Sequence, residues 1–366
     1  MVEYSPGLSG VTAFTTNISE PDREGGTLRY RGIDVDELAH KVGFEAVWSL
    51  LVTGTFDFEW ELDEHQRLTA LTGDVRVDLQ AGLARLGSLL ELRPVVDLPQ
   101  ENVLHDLARV SQHLLSFVAQ AARGSNAPVS PGRIAEGRTV VERFMIEWQG
   151  TPDQRHVEAV EDYWITAAEH GANASTFTSR VIASTGADVA AAMSGAVGAL
   201  SGPLHGGAPS RALEMVDQVM RTGDANRLVK EVLDRGERLM GFGHPVYHVE
   251  DPRARIMRAT AQRLGAPKYE AALAVEKAAL SQLGERKPGR VLSTNVDFWA
   301  AVVLDFADIP HDLMTPLFAC ARTAGWSAHI LEQCEAAKIF RPSARYEGPV
   351  SVRPETLRGW NAVTHV

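Results

Sequence analysis

Residues 316–331 read PLFACARTAGWSAHIL, and this stretch decides the fold class. Ala321, Ala324, Gly325 and Ala328 recur at three- and four-residue spacing, which puts them on one face of a helix. Small side chains on one face let a second helix approach closely. Residues 187–200, ADVAAAMSGAVGAL, have the same character. Both stripes are candidate helix–helix contacts, inside the chain's own core or between subunits. Outward from them the pattern stays helical. From Ile33 onward, Val35, Leu38, Ala39 and Val42, then Val47, Leu50 and Leu51, keep helical spacing. Residues 7–32 differ, with Thr12, Thr15, Thr16, Ile18, Thr27, Leu28 and Tyr30 around a turn-like run from Pro21 to Gly26. That predicts a short N-terminal β hairpin contributing little stability. Residues 124–132, GSNAPVSPG, read as a loop, and no repeat of solenoid length is visible. Many helices and few strands predict an all-α fold.

The chain's 366 residues suffice for a large core and for two domains. With 45% hydrophobic and 23% charged residues, the composition is that of a soluble globular protein. The net charge of −11 argues against nucleic acid as a partner, which needs a basic surface. An anionic small molecule stays possible where basic residues cluster. Cys320 and Cys334 have neither metal-ligand spacing nor the look of a disulfide framework. The opening MVEYSPGLSG lacks a signal-peptide pattern, and no run approaches eighteen apolar residues. A cytoplasmic enzyme with no membrane partner is the expectation.

Four segments put an ionisable residue beside glycine or a helix start. In EHGANAST, residues 169–176, His170 and Asn173 share a helical face. In SGPLHGGA, residues 201–208, three glycines imply tight turns, and His205 stands just before a helix. The helix dipole there disfavours a protonated imidazole. A neutral His can donate to an oxygen that is gaining negative charge. In GFGHPVY, residues 241–247, glycines flank Phe242 and precede His244; Asp251 then caps a helix with Pro252 at its first position. Arg253 in that first turn opposes the dipole, which makes sense if it grips a bound carboxylate. In TNVDFW, residues 294–299, Asn295 can cap a helix and leave Asp297 in its first turn. Arg322, among small apolar residues, is costly to bury unless paired. Each segment alone has a bland structural alternative: a core histidine, a glycine-rich connector, an exposed arginine, an acid placed for the dipole.

Together these segments resemble the citrate synthase family, in order and spacing, across nearly the whole chain. The resemblance is carried by GPLHGGA at 202–208, GFGHPVY…DPRA at 241–254, NVDF at 295–298, ARTAGWSAH at 321–329 and RP at 341–342. The stretches GLSGVTAFTTNIS and LRYRGIDVDELA, at 7–19 and 28–39, add to it. It implies a two-domain all-α fold, with a large domain of residues 1–206 and 309–366 and a small mobile domain of residues 207–308. It implies that acetyl-CoA and oxaloacetate are condensed and citryl-CoA is hydrolysed to citrate and CoA. Asp297 would be the base, His205 the enol stabiliser and His244 the acid to the keto oxygen. Oxaloacetate would be held by His170, Arg253 and Arg322, with Arg341 contributed across a homodimer interface. The length is similar to that of the shorter dimeric members.

The implied chemistry needs no metal and no cofactor, acetyl-CoA being a substrate. CoA contacts would come from Gly241, Phe242 and Gly243. Pro245 and His248 stand where many relatives carry Arg and Lys near the CoA phosphates, and the basic cluster Arg286, Lys287 and Arg290 could compensate. Two alternatives stay open: 2-methylcitrate synthase, using propionyl-CoA, and a non-catalytic CoA-binding paralogue. One extra methylene is worth only about 1–3 kcal/mol of discrimination.

Overall fold

The computed structural model describes residues 4–22, 24–61, 66–69, 71–203, 205–206, 209–243, 247, 249–289 and 292–360, with only the backbone at 209–211. Among them are fifteen α-helices and one three-stranded sheet, so the fold is all-α. Strands β1 (Ser19–Asp22), β2 (Thr27–Tyr30) and β3 (Ile33–Asp34) pair antiparallel in that order, with Ser19 opposite Tyr30 and Arg29 opposite Asp34. The Asp22 carboxylate holds the first turn by accepting from the amides of Glu24 and Gly25. β3 was not foreseen. Asp34 caps the Val35–Leu38 helix by accepting from Asp36 N, so Ile33 is left extended and pairs with Tyr30.

The chain forms two units. The smaller joins the residues up to Thr15 with those from Phe340 onward. It has two short 3-10 turns, an edge-on Phe14–Phe340 contact at 6.4 Å and the Arg345 guanidinium over the Tyr4 ring. The larger unit, Thr16–Ile339, is the helical body.

The body centres on the Met314–Ala336 helix, buried along nearly its whole length. It packs against the helices Phe44–Thr53, Gln100–Arg123, Gln154–Ala167, Ala174–Ala183 and Val189–Leu200. Ala321, Ala324 and Ala328 are all buried in these contacts. Gly325 donates its amide to Ala168 O at 3.1 Å, and a β-carbon there would stand 2.6 Å from that oxygen. The Val189–Leu200 helix, capped by Asp188, lies on Ala174–Ala183 and Val75–Leu89; a β-carbon at Gly195 would meet Ile182 Cδ1 at 2.1 Å. Both small-residue stripes therefore serve packing within the chain.

The small sheet does more than its length suggests. Ile18, Leu28 and Tyr30 are fully buried. The Tyr30 hydroxyl lies 3.2 Å from the carbonyl oxygens of Ile165, Thr166 and Glu169 and accepts from Glu169 N at 3.3 Å. Helix C-termini leave carbonyls without intrahelical partners, and this hydroxyl meets them where Gln154–Ala167 ends. The sheet thus fixes the backbone just ahead of His170, which corrects the expectation of a minor hairpin. Among the described residues no helix is long and apolar enough to cross a membrane.

Candidate active site

Asp297 occupies the first turn of the Val296–Phe306 helix, and Asn295 caps that helix by accepting from Asp297 N at 3.1 Å. The same asparagine clasps the glycine loop. Its Nδ2 donates to Gly243 O at 3.0 Å, and its amide donates to Gly241 O at 2.9 Å. Gly243 N donates to Ser293 O at 2.7 Å, and Phe242 forms a β-bridge with Thr294. Glycine is required at 241, where φ is +87° and a β-carbon would sit 2.7 Å from Phe298 Cβ. Burial pushes the Asp297 carboxyl up to about 6; Arg253 opposes the rise and Asp251 adds to it.

Arg253 begins the Pro252–Arg263 helix as expected, but its first partner lies within the chain. Asp251 takes Arg253 Nε at 3.0 Å on Oδ1 and Nη2 at 2.9 Å on Oδ2. Its Oδ1 also caps the helix through Arg253 N at 3.0 Å. Oδ2 accepts from Val296 N at 3.0 Å, so one buried carboxylate caps two helices and ties Arg253 to the Asp297 helix. The first-turn position of Arg253 is thus already explained by Asp251.

His205, Arg253 and Asp297 line one small pocket together with Tyr163, Ala167 and Phe318. His205 Nε2 lies 2.9 Å from Ser175 Oγ and accepts from Ser175 N at 3.4 Å. Ser175 stands in the first turn of the Ala174–Ala183 helix. An amide at a helix N-terminus therefore faces the ring, as expected, but the helix is this one rather than the one following His205. Burial first, then the charge of Arg322, lowers the His205 pKa and favours the neutral ring. The burial of Tyr163, reinforced by the Asp297 charge, keeps its phenol protonated.

Arg322 is buried, donates Nε to Ala167 O at 3.0 Å and stacks its guanidinium 4.7 Å over Phe318. Its pKa is lowered by burial, against which Glu169 acts. His170 Nε2 lies 3.0 Å from the Tyr247 hydroxyl, and the Arg253 guanidinium lies 6.0 Å from the Tyr247 ring centre. Arg253 thus lines the pocket with His205 and Asp297, Arg322 packs on its wall residues Ala167 and Phe318, and His170 is linked to Arg253 through Tyr247.

The remaining expected residues are placed less closely or not at all. His244 and Arg290 lie outside the described residues, as do Pro245 and His248. Arg341 belongs to the smaller unit, where it is exposed. Arg286 ends the Tyr269–Arg286 helix and already pairs with Asp234 at 2.6 Å; Lys287 follows it, exposed. Sequence reasoning passed over Tyr163, Ser175 and Tyr247 as site residues, and read Asp251 only as a cap. Ser175 and Tyr247 fall within motifs already singled out; nothing local marks Tyr163. Among the described residues no three His, Cys, Asp or Glu side chains are grouped to hold a metal ion.

The all-α body thus brings a carboxylate, an imidazole that favours its neutral form and an arginine onto one small pocket, the equipment of a proton-transferring enzyme with an anionic ligand. The family model for "Citrate synthase, C-terminal domain" matches residues 7–343. The chain is 59% identical over 362 residues to "Putative citrate synthase 2" of Mycobacterium tuberculosis, covering 98% of this chain and 97% of that protein. It is 33% identical to the 2-methylcitrate synthase of Shewanella oneidensis, covering 93% and 94%. The crystal structure of citrate synthase from Pyrobaculum aerophilum superimposes with a TM-score of 0.80 at 30% identity, covering 95% of this chain and 93% of that one. The chain belongs to the citrate synthase family.

Proposed function

We propose that the protein condenses acetyl-CoA with oxaloacetate and hydrolyses citryl-CoA to citrate and CoA. The observation that carries this reading is the convergence of Asp297, His205 and Arg253 on one pocket. Asp297, ionised above about pH 6, takes a proton from the acetyl methyl group. The resulting enolate is unstable in water, so a base needs a donor on the oxygen side. His205 supplies it. With Nε2 turned to Ser175 N, the ring proton sits on Nδ1 for the thioester oxygen. The methylene carbon then attacks the keto carbon of oxaloacetate, and His244 gives its proton to the keto oxygen. Water cleaves the thioester, releasing CoA.

Oxaloacetate is a dianion, and His170, Arg253 and Arg322 supply its binding charge, with Arg341 reaching in from the second subunit of a homodimer. Residues 207–308 act as a small domain that closes on the large one and excludes water. Gly241–Gly243 take part in CoA binding, with Arg286, Lys287 and Arg290 near its phosphates; Arg286 must then share its charge with Asp234. No cofactor is proposed, and the place of action is the cytoplasm.

The test is thiol release from acetyl-CoA and oxaloacetate by the purified protein. No release at high enzyme concentration leaves only a CoA-binding role. The 2-methylcitrate synthase relative favours a second reading, since Ala167 and Phe318 make part of the pocket wall apolar beside Asp297. A kcat/KM for propionyl-CoA tenfold or more above that for acetyl-CoA would replace the first reading with it. Arg341→Ala is expected to weaken oxaloacetate binding by about 2–5 kcal/mol if it meets a desolvated carboxylate. An unchanged oxaloacetate KM would remove the cross-subunit contact.

A further inference from the structure

Glu169, one residue before His170, is fully buried and has no part in the chemistry above. Among the described residues, every donor that reaches its carboxylate meets the same oxygen. Oε1 accepts from Ser19 Oγ at 3.2 Å, from His329 Nε2 at 3.2 Å and from the amide of Gly171. Oε2 has no hydrogen-bond partner among the described residues. Burying a carboxylate with one oxygen bare is unfavourable, so its retention calls for a role.

The role lies in the turn that Oε1 closes. Gly171 has φ +64°, and its amide reaches back to the Glu169 side chain, so the chain folds tightly around His170. The backbone of Glu169 is gripped from the other side by Tyr30. The carboxylate is itself locked in place. Arg180 Nη1 lies 2.9 Å from His329 Nδ1, and a guanidinium can only donate, so His329 carries its proton on Nε2 and gives it to Oε1. Arg180 in turn donates to Glu332 at 2.6 Å and Gln333 at 3.1 Å, and Glu332 accepts from Asn17 N at 2.9 Å. Gly325 leaves room for this carboxylate, because a β-carbon there would stand 2.1 Å from Oε2.

We propose that Glu169 is a positioning residue that, through Oε1 and the Gly171 amide, aims His170 at the dicarboxylate substrate, and that the His329–Arg180–Glu332 chain holds it in register. This rests on the oxaloacetate reading above. On the His170 turn Glu169 acts as a hydrogen-bond acceptor, while its charge supports the buried Arg322 guanidinium. Glu169→Gln keeps Oε1 and loses the charge, whereas Glu169→Ala loses both.

The experiment measures oxaloacetate Kd by tryptophan fluorescence, and both substrate KM values by thiol release, on the full-length chain. Glu169→Ala is expected to raise oxaloacetate Kd and KM at least tenfold while the acyl-CoA KM moves less than threefold. Glu169→Gln is expected to stay within threefold of wild type. His329→Ala, which removes the donor that locks Oε1 without deleting the carboxylate, is expected to raise oxaloacetate KM selectively too, and carries the test if Glu169→Ala does not fold. Three outcomes overturn the proposal: an oxaloacetate Kd within twofold of wild type in Glu169→Ala, both KM values rising together, or Gln as impaired as Ala. A wild-type protein that neither binds oxaloacetate nor releases thiol instead sinks the functional reading itself.

Discussion

Asp297→Asn is expected to lower kcat by about 10²–10⁴-fold, the contribution usual for a positioned base. Oxaloacetate binding should stay within a few-fold, because the arginines that hold it are untouched. Thiol-release kinetics beside oxaloacetate titrations will check both halves, and a near-normal kcat would take the base away from Asp297. In the wild type, kcat should fall as pH drops through about 6, since the carboxylate then takes up a proton and no longer accepts one from the methyl group. The same shift predicts the stability of the variant. The folded carboxyl lies above its ordinary 3.8, so the native state binds the extra proton, and stability falls as pH rises from about 4 to about 6. Asn removes that penalty. The full shift corresponds to about 3 kcal/mol for a group shut off from water. Asp297 faces a pocket, so a gain of about 1 kcal/mol is expected at pH 7. An inactive variant that is also slightly more stable cannot be dismissed as misfolded.

Asp251→Ala should be the most destabilising single change near the site. It removes the acceptor of four hydrogen bonds, two from the Arg253 guanidinium and two from amides that begin helices. Taking one partner from a buried ion pair costs about 3–5 kcal/mol, and losing a cap about 1 kcal/mol more. Urea unfolding should show the loss, and activity should fall with it as Arg253 and the Asp297 helix lose their common anchor. Asp251→Asn, which keeps an acceptor for Val296 N, should recover part of the stability. A change below about 1 kcal/mol in the alanine variant would mean that the tie between the two helices carries no load.

What could be read from the sequence was local. The cap at Asn295 with Asp297 behind it, the Asp251–Pro252 helix start and the buried stripe of Ala321, Ala324 and Ala328 all follow from spacings of a few residues, and the structure has each of them. What could not be read was partnership across long separations. Asp251 reaches Val296 forty-five residues on. His205 is met by Ser175, from a helix thirty residues earlier, and not by the helix it precedes. Glu169 and His329 stand 160 residues apart. No periodicity encodes such pairings; they arise when packed helices bring polar groups out of water and each must find a partner. The small sheet was undervalued for the same reason, because Tyr30 matters through carbonyls more than 130 residues away.

The main-chain clasp between Gly241–Gly243 and Ser293–Asn295 bears on timing. Two of its hydrogen bonds join backbone to backbone, so side-chain rotation can release only the bond from Asn295 Nδ2. Whatever displacement brings the glycine loop toward bound reactants must carry the Asp297 turn along in the same stroke. The glycine loop and the turn that bears Asp297 are therefore geared together, and neither can move ahead of the other.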